Sequence, residues 1–356
     1  MVVAKLSVRG NRLVDPSGKV VLLRGVNIST WEWPPGLGRD ISFETRAIPL
    51  LCASPATGGW GSNVVRLAVS GQPVVEQSQT YLATLDALTD LVLAGGAYCH
   101  WTYRNRQPDA DQEGGLAWSE QATRCLVSLA QRWLGRPEVI LGLKVEALNV
   151  QGRSDNNRVE AWQALREVYD RMVAEIRAVN PEVILSASGI QWGRYVHHAL
   201  EHPIQGEGIL YTSHVYEDLG RPATAVTFRL DQLAQRYQVS MGEFGDDTSP
   251  RGLAELRYNL SYCDQYGLHG TPWLFSARAR PALLESGDRE LREPIVPNLA
   301  GEMVRDWLQA AWQQRQEPPP PPPESTIPLP IRDLKEAQAA AAALLDWTLR
   351  QGGPLP

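Results

Sequence analysis

The chain has 356 residues, 43% of them hydrophobic and 21% charged, which excludes a disordered polyelectrolyte and a coiled coil and leaves ample material for a core. Its formal net charge of -6 comes from 34 basic and 40 acidic residues; no basic cluster outweighs its neighbours, so nucleic acid is not expected as a partner. No apolar run approaches the roughly 20 residues that cross a bilayer.

The opening MVVAKLSVRG lacks the apolar h-region of a secretory signal. As it stands, the sequence reads as cytoplasmic, and as extracellular only if an export signal was removed. Cys52, Cys99, Cys125 and Cys263 lie far apart without a CxxC pair, which predicts buried free thiols.

Residues 5–28 hold two alternating apolar runs around Asp15-Pro16-Ser17-Gly18, which predicts a β-hairpin leading into a strand at 20–28. Strand-like and helical stretches then alternate. NVVRLAV (63–69) precedes a helix near 80–94, GAYCHWTY (96–103) a helix near 118–134, and VILGLKVEAL (139–148) a helix near 159–179. The series continues with EVILSAS (182–188), GILYTSHVY (208–216), a helix near 224–236, QVSMGEFG (238–245), a helix near 251–266, TPWLFSA (271–277) and a last helix near 297–314. Eight strands separated by helices predict an α/β protein, a (β/α)8 TIM barrel, with its chemistry on loops at the strand C-termini. No Gly-rich phosphate turn follows the first strand, which disfavours a doubly wound sheet.

The barrel is expected over 1–316. At 317–330 the composition turns to PPPPPPEST and its flanks, a semi-rigid polyproline spacer. Residues 331–356 include IRDLKEAQAAAAALLDWTLRQGG (331–353), with high helix propensity and Ile331, Leu334, Ala341, Leu345 and Leu349 near one face. Such a tethered helix is read either as a docking element for a protein partner or as one that folds back on the barrel.

The strand C-termini bring a defined polar set to the barrel mouth: Arg66, Arg104, Glu146 and Asn149, His214 and Tyr216, Glu243, and Trp273. Glu243 interrupts SMGEFGDD, a run that should otherwise be buried, and burying a carboxylate is costly unless it is paired or functional. A structural ion pair with Arg66 is the simpler account; its position at a strand C-terminus favours a site carboxylate.

In this order LLRGVN, NVVRLAV, the strand ending near Arg104, EIRAVNPEVIL, SHVYED, VSMGEFG and GTPWLF resemble the cellulase-like glycoside hydrolases of family 5, retaining (β/α)8 barrels, over about residues 8–312. The resemblance implies hydrolysis of β-linked glucans or related glycosides with no metal or organic cofactor. It makes Glu243 the nucleophile, His214 and Tyr216 its positioning pair, Arg66 a buried charge partner, and Trp273 a platform for a sugar face. Arg104 and Asn149 are candidate substrate contacts.

The family ends strand four with an Asn-Glu pair, the Glu being the general acid/base. Counted from Gly142, that pair falls on Ala147 and Leu148, and the strand-three His is matched by Arg104. Retaining hydrolysis needs two carboxyl groups about 5 to 5.5 Å apart, so a leucine there implies a pseudoenzyme with a carbohydrate-binding, scaffold or assembly role. The alternative is an active retaining β-glycosidase using a relocated acid/base such as Glu146, which strand alternation places about 6 to 7 Å deeper than Leu148 and near Lys144. Glu217, Asp218, Asp246 and Asp247 are further mouth-side acids.

Overall fold

The computed structural model describes residues 3–28, 41–104, 117–147, 158–216, 228–277, 280–285 and 294–316. A compact unit spans Met1–Gln314. The polyproline segment and the 331–353 helix expected from the sequence lie outside the described residues.

The chain opens with a short antiparallel hairpin, β1 (Ser7–Arg9) and β2 (Arg12–Val14). Its tight turn is at Gly10-Asn11, with Gly10 at φ +59°. The Asp15–Gly18 stretch turns the chain as expected, into a second antiparallel return that bridges Val14 to Val20 and carries Val21 N–H to Leu13 C=O at 2.9 Å. The Asp15 carboxylate accepts from Ser17 and Lys19 N–H groups at 2.9 and 3.0 Å, and Gly18 N–H donates to Asp15 C=O at 2.9 Å.

Eight strands follow: β3 (Gly25–Ile28), β4 (Val64–Ser70), β5 (Tyr98–Arg104), β6 (Val139–Gly142), β7 (Ile184–Ser188), β8 (Ile209–Val215), β9 (Gln238–Phe244) and β10 (His269–Gly270). Each pairs in parallel with its neighbours in sequence. A parallel bridge between Arg24 and Gly270 joins the first strand to the last. The seam continues past it through Asn27 N–H to Pro272 C=O (3.0 Å) and Phe275 N–H to Asn27 C=O (2.9 Å). The eighth strand is therefore two residues long and ends before TPWLFSA, which continues as irregular backbone along β3.

The main helices are α1 (Ser42–Cys52), α2 (Gln79–Ala94), α3 (Ala117–Arg132), α4 (Arg158–Val179), α5 (Leu230–Ala234), α6 (Pro250–Gln265) and α7 (Leu299–Gln316). Their inward faces follow the helical period. On α4 the buried residues include Trp162, Leu165, Val168, Tyr169, Met172 and Ile176. Helix α1 has no counterpart in the sequence reading, because Pro49 within it masks the helical signal. Of the helix expected over 224–236, the described residues show Leu230–Ala234.

Strand alternation sorts the core into two regions. Val65, Leu67 and Val69 of β4, with Cys99, Trp101 and Tyr103 of β5, face the helices in the large outer core. Val64, Tyr98, Ile140, Ile184 and Leu210, near the strand starts, pack with Leu6, Leu13 and Leu23, so the hairpin plugs the floor of the barrel. One step up the inward faces, alternation brings Asn27, Arg66 and His100 side by side in register. This buried polar layer is where the apolar plug gives way to the site.

Candidate active site

Strict alternation along β9 turns Val239 and Met241 outward, and would turn Glu243 outward with them. A β-bulge prevents this. Ser213 pairs with Met241 but His214 pairs with Glu243, leaving Gly242 as the extra residue. Bulges re-aim side chains, often beside active sites, and this one points Glu243 inward next to His214. Gly242 permits it because a Cβ there would lie 2.2 Å from Thr212 Oγ1. An isolated glycine inside a strand pattern is the signal for a bulge.

Glu243 is buried, with its side chain 5% exposed. Its Oε1 accepts from Arg66 Nη1 at 2.7 Å, and its Oε2 accepts from the Tyr216 hydroxyl at 3.2 Å and lies 3.5 Å from His214 Nδ1. The Tyr216 phenol is pushed well above its ordinary range by burial and by the Glu243 and Glu146 charges, so it serves as a hydrogen-bond donor. Arg66, His214 and Tyr216, expected beside Glu243, are thus brought together around its carboxylate.

His214 joins two carboxylates. Its Nδ1 is 3.1 Å from Glu146 Oε1, and its Nε2 is 3.4 Å from Arg66 Nη2. Because a guanidinium only donates, the Nε2 facing it is the acceptor, which puts the ring proton on Nδ1, toward the carboxylates. Gly193, at φ +74°, lies against this imidazole; a Cβ there would meet the ring at 3.0 Å.

Glu146 is the second carboxyl of the site. One oxygen from it, His214 Nδ1 and one oxygen from Glu243 all lie within 4.8 Å of one another. The depth expected from strand alternation does not apply, because β6 ends at Gly142 and the chain beyond it follows no strand period. Lys144 is buried beneath the rings of Tyr103 and Trp118, 5.7 and 5.1 Å from their centroids. Burial pushes the Glu146 carboxyl up, but the His214 hydrogen bond and the Arg104 and Arg66 charges outweigh it and hold the group below its ordinary value. Its side chain is 22% exposed, so solvent reaches Glu146 more readily than Glu243. Leu148, expected at the acid/base place, and Asn149 lie outside the described residues, as do Glu217 and Asp218.

Arg104 ends β5 half-buried, close enough for its charge to act on Glu146. Trp273 is half-buried after β10, its N–H donating to Phe244 C=O at 2.8 Å, and its peptide bond to Leu274 is cis. Asp246 and Asp247 lie on the rim and, with Tyr216, Glu255 and Arg280, line a cavity of about 310 Å³. They take no part in the Glu146–His214–Glu243 cluster.

One aromatic residue escaped the sequence reading. Trp192 follows β7, is 46% exposed, and donates its N–H to Ala147 C=O at 3.0 Å, beside Glu146. Gln191 and Trp192 both adopt left-handed backbone (φ 52° and 61°), a cost that persists where surrounding structure fixes it and that clusters at functional sites. Its only sequence signal is an aromatic just past a strand C-terminus.

The side chains of Glu146, His214 and Glu243 could share a cation by distance alone. However, Arg66 already supplies positive charge 2.7 Å from Glu243, and a dication on that carboxylate would oppose the guanidinium. The donor set suits chemistry by protein groups. No described helix is long and apolar enough to cross a membrane.

The model of the cellulase family, glycosyl hydrolase family 5, matches residues 41–279. An endoglucanase of Halalkalibacter akibai is 23% identical over 210 residues, covering 57% of this chain and 25% of the relative. Endoglucanase A of Butyrivibrio fibrisolvens is 24% identical over 298 residues, covering 80% of this chain and 63% of the relative. The chain thus spans less than two thirds of the length of these curated relatives. Among solved structures, the native β-glucanase of Saccharophagus degradans superposes with a TM-score of 0.70 at 20% identity, covering 88% of this chain and 95% of that one. The catalytic domain of the major endoglucanase of Xanthomonas campestris pv. campestris gives 0.65 at 19%, covering 86% and 99%. These structural likenesses establish the barrel fold.

Proposed function

The chain belongs to glycosyl hydrolase family 5, the cellulase family, and on that premise we propose that it is a retaining β-glycoside hydrolase in which Glu243 is the nucleophile and Glu146 the acid/base. The observation that carries this is the approach of the two carboxyl groups, with an oxygen of each within 4.8 Å. That spacing suits the retaining class at about 5 to 5.5 Å and not the inverting class at about 6.5 to 9.5 Å.

In the first step Glu243 attacks the anomeric carbon as the glycosidic C–O bond breaks, and the Glu146 proton passes to the leaving oxygen. In the second, Glu146 takes a proton from water, the water oxygen bonds to the anomeric carbon, and the bond to Glu243 breaks. Arg66 and Tyr216 hold Glu243 aligned through their hydrogen bonds to its two oxygens. The greater exposure of Glu146 suits a group that must exchange protons with solvent. Trp273 and Trp192 offer flat apolar faces for pyranose rings. A β-linked glucan is the substrate class in keeping with the endoglucanase relatives.

A second reading, a carbohydrate-binding barrel without turnover, is favoured by one observation: the His214 hydrogen bond and the nearby charges hold Glu146 below its ordinary value, the opposite direction to that of a carboxyl tuned as a proton donor. The deciding experiment measures sugar release from soluble β-glucan and aryl β-cellobiosides by the full chain and its Glu243→Gln variant, with the anomer formed followed by NMR. Turnover that yields the β-anomer first and disappears in the variant supports the hydrolase. Binding of glucan without release by the unaltered chain overturns it.

A further inference from the structure

Arg66 orients the nucleophile, but its own position depends on a residue outside the mouth. Asn27, on β3, is 2% exposed. Its Nδ2 donates to Gly242 C=O at 2.9 Å and Thr271 C=O at 2.6 Å, and its Oδ1 accepts from Arg66 Nη1 at 2.6 Å. The amide has no freedom to flip: its NH2 faces backbone carbonyls and its oxygen faces a guanidinium, and each would meet a like partner if reversed. The same Arg66 Nη1 donates to Glu243 Oε1 at 2.7 Å. Gly242, whose carbonyl Asn27 holds, is the bulge residue that turns Glu243 inward.

We propose, building on the hydrolase reading, that Asn27 is a positioning residue for the nucleophile, fixing Glu243 twice: through the Arg66 guanidinium and through the Gly242 bulge carbonyl. The buried Nε of Arg66 has no hydrogen-bond partner. The guanidinium is therefore held from its tip, by Asn27, Glu243 and the longer His214 contact. Losing the Asn27 oxygen leaves it free to rotate away from Glu243.

A purely structural role is a real rival, since Asn27 also closes the barrel seam with its backbone N–H and C=O. Thr271→Val provides the control. It removes another hydrogen bond to the Gly242 carbonyl, at 2.7 Å, and leaves the Asn27–Arg66 and Arg66–Glu243 hydrogen bonds in place, so it separates the guanidinium route from support of the bulge carbonyl alone.

The experiment compares the full chain with Asn27→Ala and Thr271→Val, using 2,4-dinitrophenyl β-cellobioside below the melting temperature of each protein. Asn27→Ala is expected to lower kcat about 10- to 100-fold, the range for removing a hydrogen bond to a charged group, with KM within about twofold because no substrate contact changes. Thr271→Val should keep kcat within about threefold while lowering the melting temperature comparably. Equal losses of kcat in both variants, or none in Asn27→Ala, overturn the inference.

A readout independent of turnover is 15N NMR of arginine side chains, with the Arg66 signals assigned through Arg66→Lys. Separate Nη1 and Nη2 resonances are expected in the unaltered chain, and a merged signal from free rotation in folded Asn27→Ala. Separate resonances in that variant overturn the inference. Should the unaltered chain fail to turn over the aryl substrate, the hydrolase reading falls and the Asn27 inference is decided by the NMR result.

Discussion

Removing the Glu146 carboxyl tests the two-carboxylate mechanism most directly. Glu146→Ala takes away one oxygen of the pair within 4.8 Å and leaves Glu243 with its Arg66 and Tyr216 bonds intact at 2.7 and 3.2 Å. The nucleophile should therefore survive while acid catalysis is lost. That loss is worth about 10²- to 10⁴-fold, or about 2.7 to 5.4 kcal/mol in the barrier at 1.36 kcal/mol per tenfold. It should appear in full for a glucan, whose leaving oxygen needs a proton, and largely vanish from bond cleavage with 2,4-dinitrophenyl β-cellobioside, whose phenolate leaves unaided. Hydrolysis of the resulting glycosyl-enzyme is then slow, because no base activates water. A burst of dinitrophenol should precede a slow steady state. Sodium azide, small enough for the vacated space, should accelerate that phase and yield the β-glycosyl azide, since it attacks from the face Glu146 occupied. Parallel kinetics of Glu146→Ala and the unaltered chain on glucan, or acceleration without a β-azide product, would refute the reasoning.

The buried Arg66–Glu243 pair makes a prediction about stability. Arg66→Leu leaves an uncompensated carboxylate that is 5% exposed and should cost about 3 to 5 kcal/mol; adding Glu243→Gln should restore most of it, as read from denaturant midpoints. A second prediction concerns pH. Glu146 has a lowered folded-state value, so it contributes stability above its unfolded value and loses it as pH falls through the folded one. As the proton donor it is depleted as pH rises, which places the basic limb of kcat/KM on glucan below the ordinary carboxylate range for the free protein. Arg104→Gln removes one of the charges that lower Glu146, so that limb should move to higher pH; an unmoved limb would show that Arg104 does not act on the acid/base.

Much of the fold was readable from residue order. Alternating runs such as NVVRLAV and EVILSAS, separated by helical periods, specify buried parallel strands, since strands covered on both faces must be apolar except where they line a site. The isolated charges Arg66 and Glu243 marked that site because a charge in a buried run demands a partner. Harder to read was anything that breaks the local period. Helix α1 escaped because of its proline, and the turn at Gly10-Asn11, with Gly10 at φ +59°, escaped because the stronger turn chemistry of Asp15–Gly18, which also forms, lies just beyond it.

Sequence alone determined the barrel, from its strand periods, and pointed to Arg66 as a partner for a buried Glu243, from the cost of burying charge; His214 and Tyr216 entered only through the resemblance to family 5. Tertiary structure decided which carboxyl meets Glu243. Glu146 lies beyond the end of β6, where side-chain direction is set by His214 across the barrel and not by alternation. The inward aim of Glu243 and the clamp of Asn27 on Gly242 likewise depend on one unpaired residue in a ladder between β8 and β9; Gly242 marks a bulge in the sequence, but which residues pair on either side of it is decided only when the two strands meet.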